Sequence, residues 1–136
     1  MVEVMGKVKK MQESLTAAGA GEWKVERADG HQEYWLGKQR HRVGGPAIIR
    51  ADGTKLWYEH GRPHRVDGPA VEGQKRREWY FNGRLHRMDG PAIECADGRH
   101  EWWPRGKKLG VEEGEKMASL ERLKNAKLEV PEKVSF

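Results

Sequence analysis

The sequence predicts a mainly β fold: an elongated antiparallel sheet of tandem β-hairpin repeats of about 23 residues, capped or flanked by an N-terminal and a C-terminal helix. Three markers in one register carry that expectation. The first is a connector, HRVGGPA at 41–47, HRVDGPA at 64–70 and HRMDGPA at 86–92. The second is Ala-Asp-Gly at 28–30, 51–53 and 96–98, with Glu72-Gly73 as a worn copy. The third is an aromatic pair: Tyr34-Trp35, Trp57-Tyr58, Trp79-Tyr80 and Trp102-Trp103. A fixed period of this length marks a repeat architecture, in which each unit buries its apolar face on its neighbours.

Within one unit, Ala47-Ile48-Ile49-Arg50 is predicted as a strand, Asp52-Gly53 as its turn and Lys55-Leu56-Trp57-Tyr58 as the return strand. Asp-Gly between β-formers favours a tight hairpin because Gly accepts positive φ. A second turn at His60-Gly61, repeated as Asn82-Gly83, leads into the next connector. Pro46, Pro69 and Pro91 each open a strand, where a missing N–H does least harm. The array begins with a half unit from Trp23 to Gly30. It ends at Trp102-Trp103-Pro104-Arg105-Gly106, after which Leu109-Gly110 replaces His-Arg.

The flanks are different material. Val4, Met5, Val8, Met11 and Leu15 recur at helical spacing, and Gly19 is a plausible stop. Met117, Leu120 and Leu123 form a second stripe, with Glu112, Glu113 and Glu115 at its start and Lys124 and Lys127 at its end, matching the helix dipole. Pro131 then breaks the helix, and an extended tail is expected to Phe136. The chain thus divides into an N-terminal helix at 1–21, a repeat array at 22–110, and a C-terminal helix with its tail at 111–136. Either helix can cover an open sheet end or face, or serve to dimerise the protein or dock a partner.

The composition excludes several classes. A length of 136 residues suits one domain. The 17 Gly argue against a helical bundle, and the six Trp against a disordered tail. No apolar run is long enough to span a membrane. Residues 1–21 lack the apolar stretch of a signal peptide. Cys95 is the one cysteine, expected as a small strand residue, and the compartment expected is a reducing cytoplasm. No G-x-S-x-G, H-E-x-x-H or P-loop occurs, so no enzyme, cofactor or metal is expected. A nuclease-like His–Asp site from His64/Asp67 or His86/Asp89 is the version to test, though active sites are seldom tandem.

The excess basic charge lies in the array. Between Trp23 and Gly110 there are 18 Lys or Arg against 12 Asp or Glu, while the whole chain carries +5. Repetition turns equivalent residues into columns, His41, His64 and His86 in one and Arg42, Arg65 and Arg87 in the next, while Arg40, Arg62, Arg84 and Arg105 add density around the second turn. An Arg column can read carboxylate or phosphate. It can equally serve the repeat itself, with Arg65 on Asp67, Arg87 on Asp89, and each His on a backbone carbonyl. Arg42 has Gly44 in the acid's place and is the freer of the three. The aromatic pairs also split, since strand neighbours face opposite ways. Tyr34, Trp57, Trp79 and Trp102 form one column; Trp35, Tyr58, Tyr80 and Trp103 form the other. One fills the core, and its opposite is covered by the helices or left open.

The unit resembles the MORN repeat over about 23–106, in its period, its Asp-Gly turn, the aromatic of its return strand and its Asn-Gly-x-x-His step. The HRxDGPA connector departs from the general MORN pattern and is similar to connectors in phage, giant-virus and bacterial proteins. The resemblance implies a sheet of successive hairpins acting as a protein-binding or membrane-associated scaffold. The function expected is therefore a non-enzymatic module presenting Arg, His and aromatic columns to an acidic protein surface. An inhibitor of a bacterial defence complex, of the anti-CRISPR kind, is its specific form. The candidate contact residues are Arg40, Arg42, Arg62, Arg65, Arg84, Arg87 and Arg105 with Trp35, Tyr58, Tyr80 and Trp103. Nucleic acid is the alternative partner, because a basic aromatic face stacks bases. A membrane surface is the third, from Lys7, Lys9 and Lys10 opposite Val4, Val8 and Met11.

Overall fold

The computed structural model describes residues 13–19 and 21–128. They form one long antiparallel sheet, two small two-stranded sheets beside it, and one helix. The main sheet begins with β1 (Glu13–Gly19), β2 (Glu22–Arg27) and β3 (Gln32–Leu36). It continues with β5 (Ile48–Ile49), β6 (Lys55–Leu56), β9 (Val71–Glu72), β10 (Arg76–Glu78), β13 (Ile93–Cys95) and β14 (His100–Glu101), in that order across the sheet. The short β4 (Gln39–Arg40) folds back on β3. Successive repeat units are thus spatial neighbours, although the two small two-stranded sheets stand outside the main one.

Each unit supplies one hairpin to the main sheet and one beside it. Ile48 faces Leu56 across β5 and β6, and Leu56 in turn faces Val71 of the next copy. The chain then steps sideways at Trp57. Its N–H donates to the Ala70 carbonyl at 2.7 Å, and its carbonyl accepts the His64 N–H at 3.0 Å. Beyond the step lie β7 (Tyr58–Glu59) and β8 (Arg62–Pro63), and in the next copy β11 (Tyr80–Phe81) and β12 (Arg84–Leu85). The return strand expected as continuous from Lys55 to Tyr58 is therefore two short strands. The aromatic at the break spends its backbone groups on the next connector.

The core is lean and modular. Ala47, Ala70 and Ala92, one per connector, are fully buried, and Ile48, Leu56, Ile93 and Trp102 are nearly so.

The N-terminal expectation is corrected where it can be followed. Residues 1–12 lie outside the described residues. Over 13–19, however, the chain is a strand, paired with β2 in the register Leu15↔Val25 and Ala17↔Trp23. A helix there would leave β2 as an open edge with unpaired backbone groups, whereas a strand satisfies them. Gly21, at φ +73, makes the turn.

The C-terminal helix is present as α1 (Val111–Leu128). It docks by Gly114 and Ala118, four residues apart and both buried, on Trp102. The apolar stripe stays largely outside: Leu120 is 63% and Leu123 58% exposed. Close approach decides this, because a Cβ at Gly114 would land within the Trp102 side chain. Arg122 fixes the docking, donating from Nη1 to the Asp89 carbonyl at 2.7 Å and from Nη2 to Ser119 Oγ at 3.1 Å. The tail beyond Leu128 lies outside the described residues.

Candidate functional site

The connector explains itself residue by residue. Its His reaches into the following copy: Nδ1 of His41, His64 and His86 accepts the backbone N–H of His60, Asn82 and Arg105 at 2.9, 3.0 and 2.7 Å. Those three acceptances fall on the three non-glycine residues with positive φ among the described residues, at 51°, 48° and 51°, each followed by Gly61, Gly83 or Gly106, also at positive φ. Two successive left-handed residues make the hairpin turn whose twist suits the strands. The His of one copy thus holds the strained turn of the next. The partner is an N–H, where the sequence reading supposed a carbonyl.

Its Arg folds onto the connector. The guanidinium carbons of Arg42, Arg65 and Arg87 lie 3.9, 3.8 and 3.9 Å from the ring centres of Tyr34, Trp57 and Trp79. Nη1 of each donates to the carbonyl of Pro46, Pro69 or Pro91, at 3.2, 3.0 and 3.1 Å. Beneath lies the connector glycine: a Cβ at Gly45, Gly68 or Gly90 would come within 2.9, 2.8 or 2.7 Å of that guanidinium carbon. Asp67 and Asp89 accept from Nε at 3.3 and 2.9 Å. Arg65 and Arg87 therefore serve the repeat, and Arg42 takes the same seat without an acid partner. At Trp102, Leu109-Gly110 replaces His-Arg, and Gly114 of α1 lies against the ring where the arginines would.

The opposite aromatic column is pinned from its own strand. Trp35 Nε1 donates to Glu33 Oε1 at 3.0 Å, Tyr80 Oη to Glu78 Oε1 at 2.8 Å, and Trp103 Nε1 to Glu101 Oε1 at 2.8 Å. Each Glu precedes its aromatic by two residues, which puts both on one face. Tyr58 follows Leu56 and has no such acid. All four rings are half-buried. Glu33 is the most deeply placed acid here. Burial acts to raise its carboxyl, but the hydrogen bond from His31 and the charges of Arg40, His31 and Arg27 outweigh it and hold the group below the usual carboxylate range. Burial and the bond to Glu78 push the Tyr80 hydroxyl up to about 12.

Beside this column run the tips of the small hairpins. Arg62 and Arg84 lay their alkyl stems on Gly83 and Gly106 of the following copy. Among the described residues neither forms an ion pair, nor do Arg105, Lys38 or Lys107. Arg40 lies over Trp35 at 4.9 Å and 3.9 Å from Glu33, and its buried Nε lacks a hydrogen-bond partner among the described residues. Trp35, Lys38, Arg40, Tyr58, His60 and Arg62 line a shallow cleft of about 410 Å³. The candidate residues thus separate. Arg40 and Arg62 share that cleft with Trp35 and Tyr58, Arg84 stands opposite Phe81 in the next small hairpin, Arg105 lies in the last turn of the array, and Arg42, Arg65 and Arg87 lie on the other aromatic column. Lys38 and Lys107 join the cationic rank; their place in the repeat, around the glycine of the second turn, was the available signal.

The catalytic version fares differently. Asp67 and Asp89 are engaged by Arg65 and Arg87, and the Nδ1 atoms of His64 and His86 by backbone N–H groups. No group of three metal-ligating side chains occurs among the described residues. The described helix is not long and apolar enough to cross a membrane.

Fold and face together define a tandem-hairpin repeat protein with one arginine column folded inward and one cationic rank facing solvent. No protein family model matches the chain, and comparison with curated proteins and with solved structures returned no match.

Proposed function

We propose that this chain is a non-enzymatic protein-binding module of MORN-like type. The face formed by Trp35, Tyr58, Tyr80 and Trp103, with Arg40, Arg62, Arg84 and Arg105, meets an acidic protein surface. The observation that carries this reading is that, among the described residues, Arg62, Arg84 and Arg105 form no ion pair, while Trp35, Tyr80 and Trp103 are held by Glu33, Glu78 and Glu101. Rigid aromatics and free arginines are the residues that dominate interface energy. The connector motif favours an inhibitor of a bacterial defence complex, anti-CRISPR-like and acting in the cytoplasm, as the specific form.

A nucleic acid is the alternative partner. A continuous row of phosphates would run past the three pinning carboxylates, whereas a protein can offer separate acids to separate arginines. A membrane scaffold rests on residues outside the described ones. Self-association through α1 is carried by the exposed Leu120 and Leu123.

The test uses an Asp/Glu-rich peptide containing Trp, and random single- and double-stranded oligonucleotides, each followed by fluorescence anisotropy at low and physiological salt. The peptide should bind, and Arg62→Glu with Arg84→Glu should abolish binding with the circular dichroism unchanged. Tighter binding of an oligonucleotide, falling steeply with salt, would replace this reading with the nucleic-acid one.

A further inference from the structure

The three connectors are an internal comparison, and the first differs at two places that matter to one side chain. Arg65 has Asp67 at 3.3 Å and Glu72 at 3.9 Å; Arg87 has Asp89 at 2.9 Å and Glu94 at 3.0 Å. In the first copy Gly44 stands where those aspartates stand, and Ile49 stands where the glutamates stand. Arg42 nevertheless keeps the same pose, over Tyr34 at 3.9 Å with Nη1 on the Pro46 carbonyl at 3.2 Å. Its side chain is presented as in the other two copies, with both carboxylates missing.

Arg42 borders a cleft of about 290 Å³ together with Glu22, Trp23, Tyr34, His41 and Val43. Trp23 is 48% and Val43 73% exposed, so an apolar rim surrounds the guanidinium. Glu22 also lines the cleft, and among the described residues it forms no ion pair with Arg42. A planar guanidinium already held on an aromatic ring loses little freedom when it takes a carboxylate.

We propose that Arg42 is a preformed carboxylate-binding site, which takes an Asp or Glu side chain of a partner protein in the position that Asp67 and Glu72, or Asp89 and Glu94, fill in the other copies. The site stands on the comparison between copies and is independent of the Arg62–Arg84 face. The bound acid receives hydrogen bonds from Arg42 Nε and Nη1, and Trp23 and Val43 share the neighbouring cleft with that guanidinium.

The full chain serves as the test, with the Arg42 Nε–H resonance as reporter and N-acetyl-aspartate N-methylamide as probe. The expected result is a saturable shift of that resonance and of the Trp23 indole N–H, absent with the asparagine analogue. Ile49→Glu supplies the internal acid that the first copy lacks and should suppress the response at least tenfold; Ile49→Gln should leave it intact. Three results would overturn the site: no saturable shift, an equal shift with the asparagine analogue, or wild-type binding by Ile49→Glu when its own Arg42 resonance is already displaced. A stronger response to inorganic phosphate than to the aspartate probe would also overturn it, pointing to a phosphate reader instead.

Discussion

His86 Nδ1 accepts the backbone N–H of Arg105 at 2.7 Å, across the junction between the last connector and the last turn of the array. Arg105 carries φ 51°, so the bond steadies a residue that backbone sterics alone disfavour. Only an imidazole with a bare Nδ1 can accept it. Burial, and then the charge of Arg105, hold the His86 pKa below the ordinary 6.5. In the unfolded chain the ring takes its proton at the ordinary value. The contribution of His86 is therefore complete above pH 6.5 and is lost as pH falls from there through the lower folded value. Urea unfolding followed from neutral to mildly acid pH should show that decline, and His86→Ala should flatten part of it. At neutral pH the substitution should cost about 0.5–1.5 kcal/mol, the net worth of one exposed hydrogen bond.

Gly90 is the tightest of the connector glycines, since a Cβ there would approach the Arg87 guanidinium carbon to 2.7 Å. The arginine cannot simply withdraw, because Pro91, Asp89 and Glu94 hold its nitrogens. Gly90→Ala should destabilise by about 1–3 kcal/mol, as overpacking does. The combined variant Gly90→Ala with Arg87→Ala should not add the two single losses, since both act on one contact. A double-mutant cycle in urea checks this, and simple additivity would show that the glycine and the arginine are not coupled.

Most of this architecture is legible in the sequence, because each unit is written three times. The Asp-Gly and His-Gly turns, the prolines opening strands and the opposed aromatic columns all lie where their spacing puts them. The partners of the repeated residues are less legible. His41 and His60 are 19 residues apart, and no local rule pairs a ring nitrogen with the turn of the following copy. The pairing of Arg65 with Asp67 could be read two residues away, but not its seat on Trp57. The ends were hardest. Helical spacing around Leu15 lost to the unpaired edge of β2, and the stripe of Leu120 and Leu123 lost to Gly114 and Ala118, whose smallness is what Trp102 demands.

Tyr80 gives a test at the other end of the pH scale. Its hydroxyl lies 2.8 Å from Glu78 Oε1, and burial with that bond raises its pKa to about 12, from the ordinary 10. The neutral phenol is favoured in the fold, so its contribution is complete below pH 10 and is lost as pH rises toward about 12. A tyrosinate absorbance titration of the native protein should show one late hydroxyl, absent in Tyr80→Phe. Alkaline unfolding of that variant should also lose part of its pH dependence. An unchanged late step would assign it to Tyr34 or Tyr58 instead.

Trp102 closes the array differently from its counterparts, and Gly114 is the residue that permits it. Tyr34, Trp57 and Trp79 are each covered by the arginine eight residues downstream, but at that position after Trp102 stands Gly110, which has no side chain to offer. The ring is nonetheless 5% exposed, because the backbone of α1 lies against it at Gly114 with Ala118 alongside. Gly114→Ala gains helix propensity worth about 1 kcal/mol, and by that alone it would stabilise α1. Its Cβ, however, would overlap the Trp102 side chain, and neither backbone can yield without parting. The two effects oppose, and the steric one should win because a fully formed contact between large groups is lost with it. The expected outcome is a net loss of about 1–3 kcal/mol, a red shift of the Trp102 emission and retained helical circular dichroism. Lys116→Ala, on the exposed side of α1, should have only a small effect. If Gly114→Ala instead raises stability, α1 is not seated on Trp102 by close approach, and the array is closed by some other contact.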